Sequence, residues 1–434
     1  MSRTGGPLPR LFVAAMIVDA LGSGMFMPFA LLYFVRVQDL TVGSVGATLT
    51  ATNVALIVTS AALGSLVQRV GTLRSLLLGN AVRAPLFAFY VVALPPAVAM
   101  GALVLSAVLD KAAWVSLGAT IARLARGAAA RRAFSLVSWA RNIGLCLGSL
   151  VGGLLASSSS STGLRAIALV NAVSFAATAV LLLRLRTPPE AGAGEQPAAS
   201  RPTTAARPGD TTGPEAESGA RGGLGDAGAK KGAQSLRVLR LPGFALLSAA
   251  KTCFTVCATV VSMFTGIYLL DEAQLPGWAV GTVLALNGAL VVLFQQPLVK
   301  RTADSPAPRM MALGGVLYAV AGGGFALVAS LGDAQLPVIA ALVAMTVYTL
   351  GEIVIAPASD GFAADLAEPG NEAPCMAVYQ ASWSIASVVV PAAGAWLLLA
   401  PGPVLWVVFA AVALVGALLS AALEGGRARQ RVPA

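Results

Sequence analysis

Apolar residues fall along this chain in runs of roughly 20 to 30, separated by short stretches containing charges, glycine or proline. The runs lie at about 11–35, 45–67, 75–96, 98–122, 135–158 and 164–184, then 240–270, 278–299, 310–330, 337–360, 375–398 and 403–423. Each is long enough to cross a bilayer as a helix, which takes about 20 apolar residues at roughly 1.5 Å of rise apiece. The first run is too long for the core of a signal peptide and has no small-residue cleavage site behind it, so it reads as a helix. Between the two sets of six, Arg186 to about Gln234 is rich in Pro, Gly, Ala, Thr and Glu and nearly devoid of bulky apolar residues. Such a segment cannot bury enough surface to offset its ordering entropy, which predicts a disordered linker. The expected organisation is all-α and integral to the membrane. A six-helix half spans 1–185, a disordered linker 186–236, and a second six-helix half 237–434.

Composition narrows the function classes. Of 434 residues, 57% are hydrophobic and only 11% charged, against about 25% charged in a soluble domain. That is too little charge to clothe a water-facing surface, which excludes a soluble enzyme. The 46 glycines and the 6% aromatic content suit helices that approach one another closely. Histidine is missing from the sequence, and with it the commonest general base and metal ligand. The four cysteines (Cys146, Cys253, Cys257, Cys375) form no CxxC pair and read as small apolar residues. No metal or cofactor is expected, and the sequence contains no G-x-x-x-x-G-K-[ST] loop for ATP hydrolysis. A membrane enzyme is therefore disfavoured, and the loops offer no effector domain for a sensor or scaffold.

The formal charge of +10 has a topological meaning. All of the 29 Lys and Arg except Arg36, Arg83, Lys111, Arg141, Arg165 and Lys251 fall in the tails, the linker or loops on one side of the spans. This is the positive-inside pattern, and it places both termini in the cytoplasm. Nucleic acid is not an expected partner; a lipid bilayer and a small-molecule substrate are. Arg outnumbers Lys 24 to 5, as in a GC-rich bacterial genome, so the expected location is a bacterial plasma membrane.

The two halves match at constant offsets. An offset of 232 puts Phe12 on Phe244, Asp19 on Lys251, and Leu66, Val67 and Arg69 on Leu298, Val299 and Arg301. An offset of 242 puts Asp110 on Glu352, Ser149 on Pro391 and Gly152 on Gly394. Parallel repeats of this kind build the two halves of major facilitator transporters.

Short motifs carry the same resemblance. Gly64, Gln68, Arg69, Gly71 and Arg74 resemble the superfamily's loop signature G-x-L-a-D-R-x-G-r-k-R, with Gln68 where the signature has Asp. Gly144, Gly148, Ser149, Gly152 and Gly153 resemble the antiporter signature g-x-x-x-G-P-x-x-G-G, with Ser149 in place of Pro. The stretch Leu350-Gly351-Glu352 through Pro357 is similar to a segment of bacterial multidrug exporters. The resemblance implies the major facilitator fold, a monomer, and the drug:proton antiporter branch. Independently of it, the glycines at 144, 148, 152 and 153 put small surfaces on one helix face, fit for close helix contact.

A charge at the bilayer centre costs about 2.5–3.5 kcal/mol on insertion scales, so each one inside a span asks for a reason. Asp19, Asp110 and Glu352 are candidates for proton coupling, because desolvation favours the protonated form of a carboxyl. If the halves pack as the resemblance implies, Asp19 faces Lys251 across the central cavity; a static pair with Lys251 or with Arg141 is the structural alternative. Lys111 is a rival partner for Asp110, although sequence neighbours point about 100° apart on a helix. Arg83 is read as structural, and Arg141 either caps carbonyls or balances Asp19. Phe26, Trp114, Phe254, Tyr348, Tyr379 and Trp383 stand at helical spacing from charges or from each other. With Lys251 they are candidate cavity walls, and aromatic walls suit amphipathic organic cations. The function expected is proton-driven export of small amphipathic compounds by alternating access. Uptake of a small metabolite through the same charges is the alternative.

Overall fold

The computed structural model describes residues 10–124, 128–156, 161–185, 238, 241, 243–302, 305–332, 335–366 and 372–430; the expected linker lies outside them. Among the described residues the chain is helical, with no strand. The first half comprises α1 (Arg10–Arg36), α2 (the bent pair Val42–Val58 and Ser60–Val70), α3 (Thr72–Phe89), α4 (Pro96–Leu124), α5 (Ala128–Ala156) and α6 (Ser161–Leu183). The second comprises α7 (Phe244–Glu272), α8 (Gly277–Thr302), α9 (Ala307–Val328), α10 (Leu336–Leu366), α11 (Glu372–Leu399) and α12 (Val404–Gln430). Ten of these are long and apolar enough to cross a membrane, and α2 makes an eleventh if its arms are one span. The remaining helix, α3, falls short because Arg74, Asn80 and Arg83 lie within its 18 residues.

Local chemistry shapes the helices. In α1 a 3₁₀ turn at Met27–Phe29 contains Pro28, which has no amide hydrogen to continue the ladder. The α2 N-terminus is capped by Thr41, whose Oγ1 accepts from the Ser44 amide at 3.1 Å. Its arms meet at 73°. There the hydroxyls of Thr59 and Ser60 donate back to the carbonyls of Ala55 and Ile57, at 2.7 and 2.8 Å. Back-bonding of this kind bends helices. Gly71 turns α2 into α3 at φ +94°, a conformation disfavoured for any residue with a Cβ.

Small residues set the packing. On α5, a Cβ at Gly144 would lie 2.6 Å from the Ile17 carbonyl, and one at Gly148 would run into the Leu21 carbonyl. Gly152 meets Met25 and Phe29 of the same helix, so the glycine face lies flat on α1 as its spacing implied. Gly153 turns the other way, onto Gly281 of α8. The repeat reappears here: Gly152 of α5 packs on Phe29 of α1, and its counterpart Gly394 of α11 packs on Phe264 of α7.

Among the described residues three main seams join the halves. In the first, Gly266 of α7 meets the Pro28 carbonyl of α1, and Arg36 pairs with Asp271. In the second, Gly46 of α2 meets Pro391 of α11. Beside it the Thr50 hydroxyl donates to the Val388 carbonyl at 2.8 Å and accepts from the Ala392 amide at 3.2 Å. Thr50 thus hooks into the α11 ladder where Pro391 has already removed a donor. In the third, Gly153 abuts Gly281, and the Cys146 thiol donates to the Ala285 carbonyl at 3.2 Å. Because helix direction alternates along the chain, these contacts lie toward the end of the bundle away from Arg10 and Gln430.

Candidate functional site

The intramembrane charges sort into pairs within each half. Arg141 donates to Asp19 at 2.9 Å, with both side chains largely buried. Arg141 stands three residues before Gly144, so the close α1–α5 contact brings it beside Asp19. Its guanidinium also lies 4.6 Å from the centre of the Trp114 ring. Asp19 thus takes its cation from its own half.

Between α3 and α4, Arg83 donates to Asp110 at 2.7 Å and lies over the Phe175 ring at 5.2 Å. Arg83 is buried there, whereas the Asp110 side chain is 59% exposed. Lys111 does not take Asp110. It is exposed, and among the described residues it has no ion-pair partner.

In the second half, Lys251 Nζ lies 3.5 Å from Asp360 and 3.4 Å from the Ser359 hydroxyl. It also sits 5.0 Å from the centre of the Tyr379 ring. The Tyr379 hydroxyl in turn is 2.5 Å from Asp360 and 2.9 Å from Ser359. Asp360 is 60% exposed, and Lys251 is buried behind it.

Glu352 occupies a different setting. The Asn287 amide of α8 donates to its carboxyl at 2.8 Å and to the Thr349 hydroxyl at 3.0 Å. Among the described residues no cation pairs with Glu352. Behind it Gly351 packs on Tyr318, whose ring stacks on Tyr348 at 4.6 Å. Asp110 and Glu352 match in the repeat but not in their partners, since α3 supplies Arg83 at one and α8 supplies Asn287 at the other.

The remaining sequence candidates divide by exposure. Trp114 and Trp383 are about half exposed, at 54% and 52%. Phe26 is buried in an aromatic cluster with Tyr33, Phe34, Phe87 and Tyr90. Phe254 is packed against Gly315, Gly416 and Tyr318. Phe26, Phe254 and Tyr348 therefore sit in the packed interior, and Tyr379 is buried at the Lys251 cluster. In the loop signature, Gln68, Arg69 and Arg74 are exposed, Gly64 has open space around it, and Gly71 makes the turn. Ser149 donates to the Leu145 carbonyl at 2.9 Å and reaches the Gly24 carbonyl of α1 at 3.3 Å. No cluster of three or more His, Cys, Asp or Glu fit to hold a metal occurs among the described residues.

Asp360, Ser359 and Asn287 are among the residues of this arrangement that escaped the sequence reading. The apolar run of the tenth span fades at 360, which put Asp360 at a helix end, whereas α10 continues to Leu366. Asn287 and Ser359 carry no charge and so drew no notice in apolar runs. Their spacing held a signal, since Ser359 lies seven residues, about two turns, from Glu352.

Comparison with known proteins agrees with this architecture. A family profile described as Major Facilitator Superfamily matches residues 12–373. No curated protein matches the sequence. The nucleoside transporter NupG superposes with a TM-score of 0.72 at 12% identity, covering 95% of this chain and 98% of that one. A structure from work on proton-dependent oligopeptide transporters gives 0.68 at 14% identity, covering 96% and 98%. A bacterial homologue of the human lysosomal transporter Spinster, inward-facing and unoccupied, gives 0.66 at 14%, covering 98% and 97%. At these identities the likeness is one of fold, and that fold is of secondary transporters. The profile spans most of the sequence and the helices fall into two halves: the chain belongs to the Major Facilitator Superfamily.

Proposed function

We propose that this protein is a proton-coupled exporter of small amphipathic organic compounds, working by alternating access of its two halves. The observation that carries the reading is Glu352. It is a carboxyl inside a membrane helix, partnered by an amide and not by a cation. A side-chain amide can donate to a carboxylate through nitrogen or accept from a carboxylic acid through oxygen. Asn287 can therefore satisfy Glu352 both before and after it takes a proton. A permanent ion pair would hold one charge state; this setting tolerates two.

Exposure supports the cavity. Asp110 and Asp360 are each more than half exposed, and a charge facing lipid costs about 2.5–3.5 kcal/mol. These faces of α4 and α10 belong against water between the halves. With both termini in the cytoplasm, as the basic loops indicate, the seams close the outer end and leave the space open to the cytoplasm. The setting is a bacterial plasma membrane, with the protein acting as a monomer.

Inverted membrane vesicles with an imposed pH gradient test this. A panel of amphipathic cations, zwitterions and anions should include at least one that accumulates, that is lost on adding a protonophore, and that Glu352→Gln no longer concentrates. Accumulation in right-side-out vesicles only would reverse the direction and make the protein an importer. Flux that ignores the gradient and survives Glu352→Gln would contradict proton coupling.

A further inference from the structure

Two adjoining hollows lie where α2 bends. The larger, about 290 Å³, is an apolar cleft between α2 and α4, lined by Leu56, Leu63, Leu66, Val104 and Val108. Organic-ligand sites begin at roughly that size. The smaller, about 80 Å³, shares Leu56 and is polar: Lys111 of α4 faces Asn53 and Ser60 of α2 and Ser384 and Ser387 of α11. Val104, Val108 and Lys111 recur at four and three residues, so one face of α4 runs from alkyl to ammonium.

The charges decide the sign of what fits. Arg141, Arg83 and Lys251 each have a carboxylate, and Asp19, Asp110 and Asp360 are thereby taken. Among the described residues Lys111 has none, and the groups around it are hydroxyls and an amide able to share an anion's oxygens. A cation entering here would find no free acid and an opposing ammonium.

From this we infer that the substrate is a single-tailed organic anion, its tail in the α2–α4 cleft and its acidic head on Lys111, Ser384 and Ser387. The inference rests on the export reading for its biological sense and departs from the organic cations that aromatic walls suggested. The head contacts α4 of one half and α11 of the other, so the site must change when the halves rock. The cleft holds one short tail and is too small for a two-chain lipid.

The test is calorimetric binding to the full chain in phosphatidylcholine nanodiscs, with empty nanodiscs as baseline. Decanesulfonate and decyltrimethylammonium share a tail length, and both keep their charge at any working pH. Decanesulfonate is expected to bind saturably and decyltrimethylammonium not to bind. Lys111→Gln should weaken decanesulfonate by about tenfold or more, the scale of a charge-assisted hydrogen bond, while Lys111→Arg keeps it. Val104→Trp should remove binding by filling the cleft. Lys111 is exposed and unpaired, so its variants are expected to fold even if Val104→Trp does not. Equal binding of both probes, or an unchanged affinity in Lys111→Gln, would overturn the inference. Displacement of decanesulfonate by added phosphatidylglycerol would overturn the single-tail assignment. Saturable anion binding without gradient-driven flux would leave this inference standing and remove the export reading; gradient-driven flux of a cation with no sulfonate binding would do the reverse.

Discussion

At the residue scale, the buried Asp19–Arg141 pair depends on both partners, and removing one should cost more than removing both. Asp19→Asn leaves Arg141 buried without its carboxylate, which typically costs about 3–5 kcal/mol. The double variant Asp19→Asn with Arg141→Met should recover most of that loss, measured as midpoint temperatures of the detergent-solubilised protein. Equal melting of the single and double variants would show that the pair does not hold α1 to α5. Which partner each charge takes was only partly legible in the sequence. Arg141 was in view as a partner for Asp19, because both stand alone in apolar runs. The choice between Arg141 and Lys251 depended on how closely α5 approaches α1, a property of three glycines and not of either charge. Asp360 was hidden because hydropathy falls at its position just as it does at a helix end.

At the element scale, glycines act by what their missing side chains let in. Gly148 lies against the α1 backbone, whereas Gly64 has open space around it. Gly148→Val should therefore cut the yield of folded protein severely, and Gly64→Ala should leave yield and melting unchanged, as read by size-exclusion chromatography. A tolerated Gly148→Val would mean that α5 can slide on α1 at little cost. The spacing of the α5 glycines announced their contact face; the partner helix was not legible, because spacing fixes a face and not its neighbour. The bend in α2 also went unread. Thr59 and Ser60 look like ordinary polar interruptions in sequence, and their effect comes from hydroxyls returning to carbonyls one turn back. The same bend opens the cleft beside Lys111, so the least regular helix of the first half borders the proposed substrate site.

At the scale of the whole molecule, six-and-six spacing and the matched offsets made the two-half architecture legible, since bilayer thickness fixes span length almost regardless of side-chain detail. The state of the molecule was not legible, because it depends on which end of the seams is closed. Arg36 and Asp271 join α1 to α7 at the closed end, with side chains 44% and 30% exposed. A pair that exposed is worth roughly 0.2–1 kcal/mol, so Asp271→Asn should shift the population opening at that end by at most about fivefold. Distance distributions between spin labels on α1 and α7 measure that shift, and an all-or-none change would show that the pair is a lock and not a bias. The central claim is that Glu352 carries the proton that drives transport. Its most direct test is proton movement in proteoliposomes loaded with a pH-sensitive dye, recorded when a transported compound is added outside. The account expects a dye response with wild-type protein and none with Glu352→Gln, although the variant still binds the compound. A response of the same size in Glu352→Gln would contradict it.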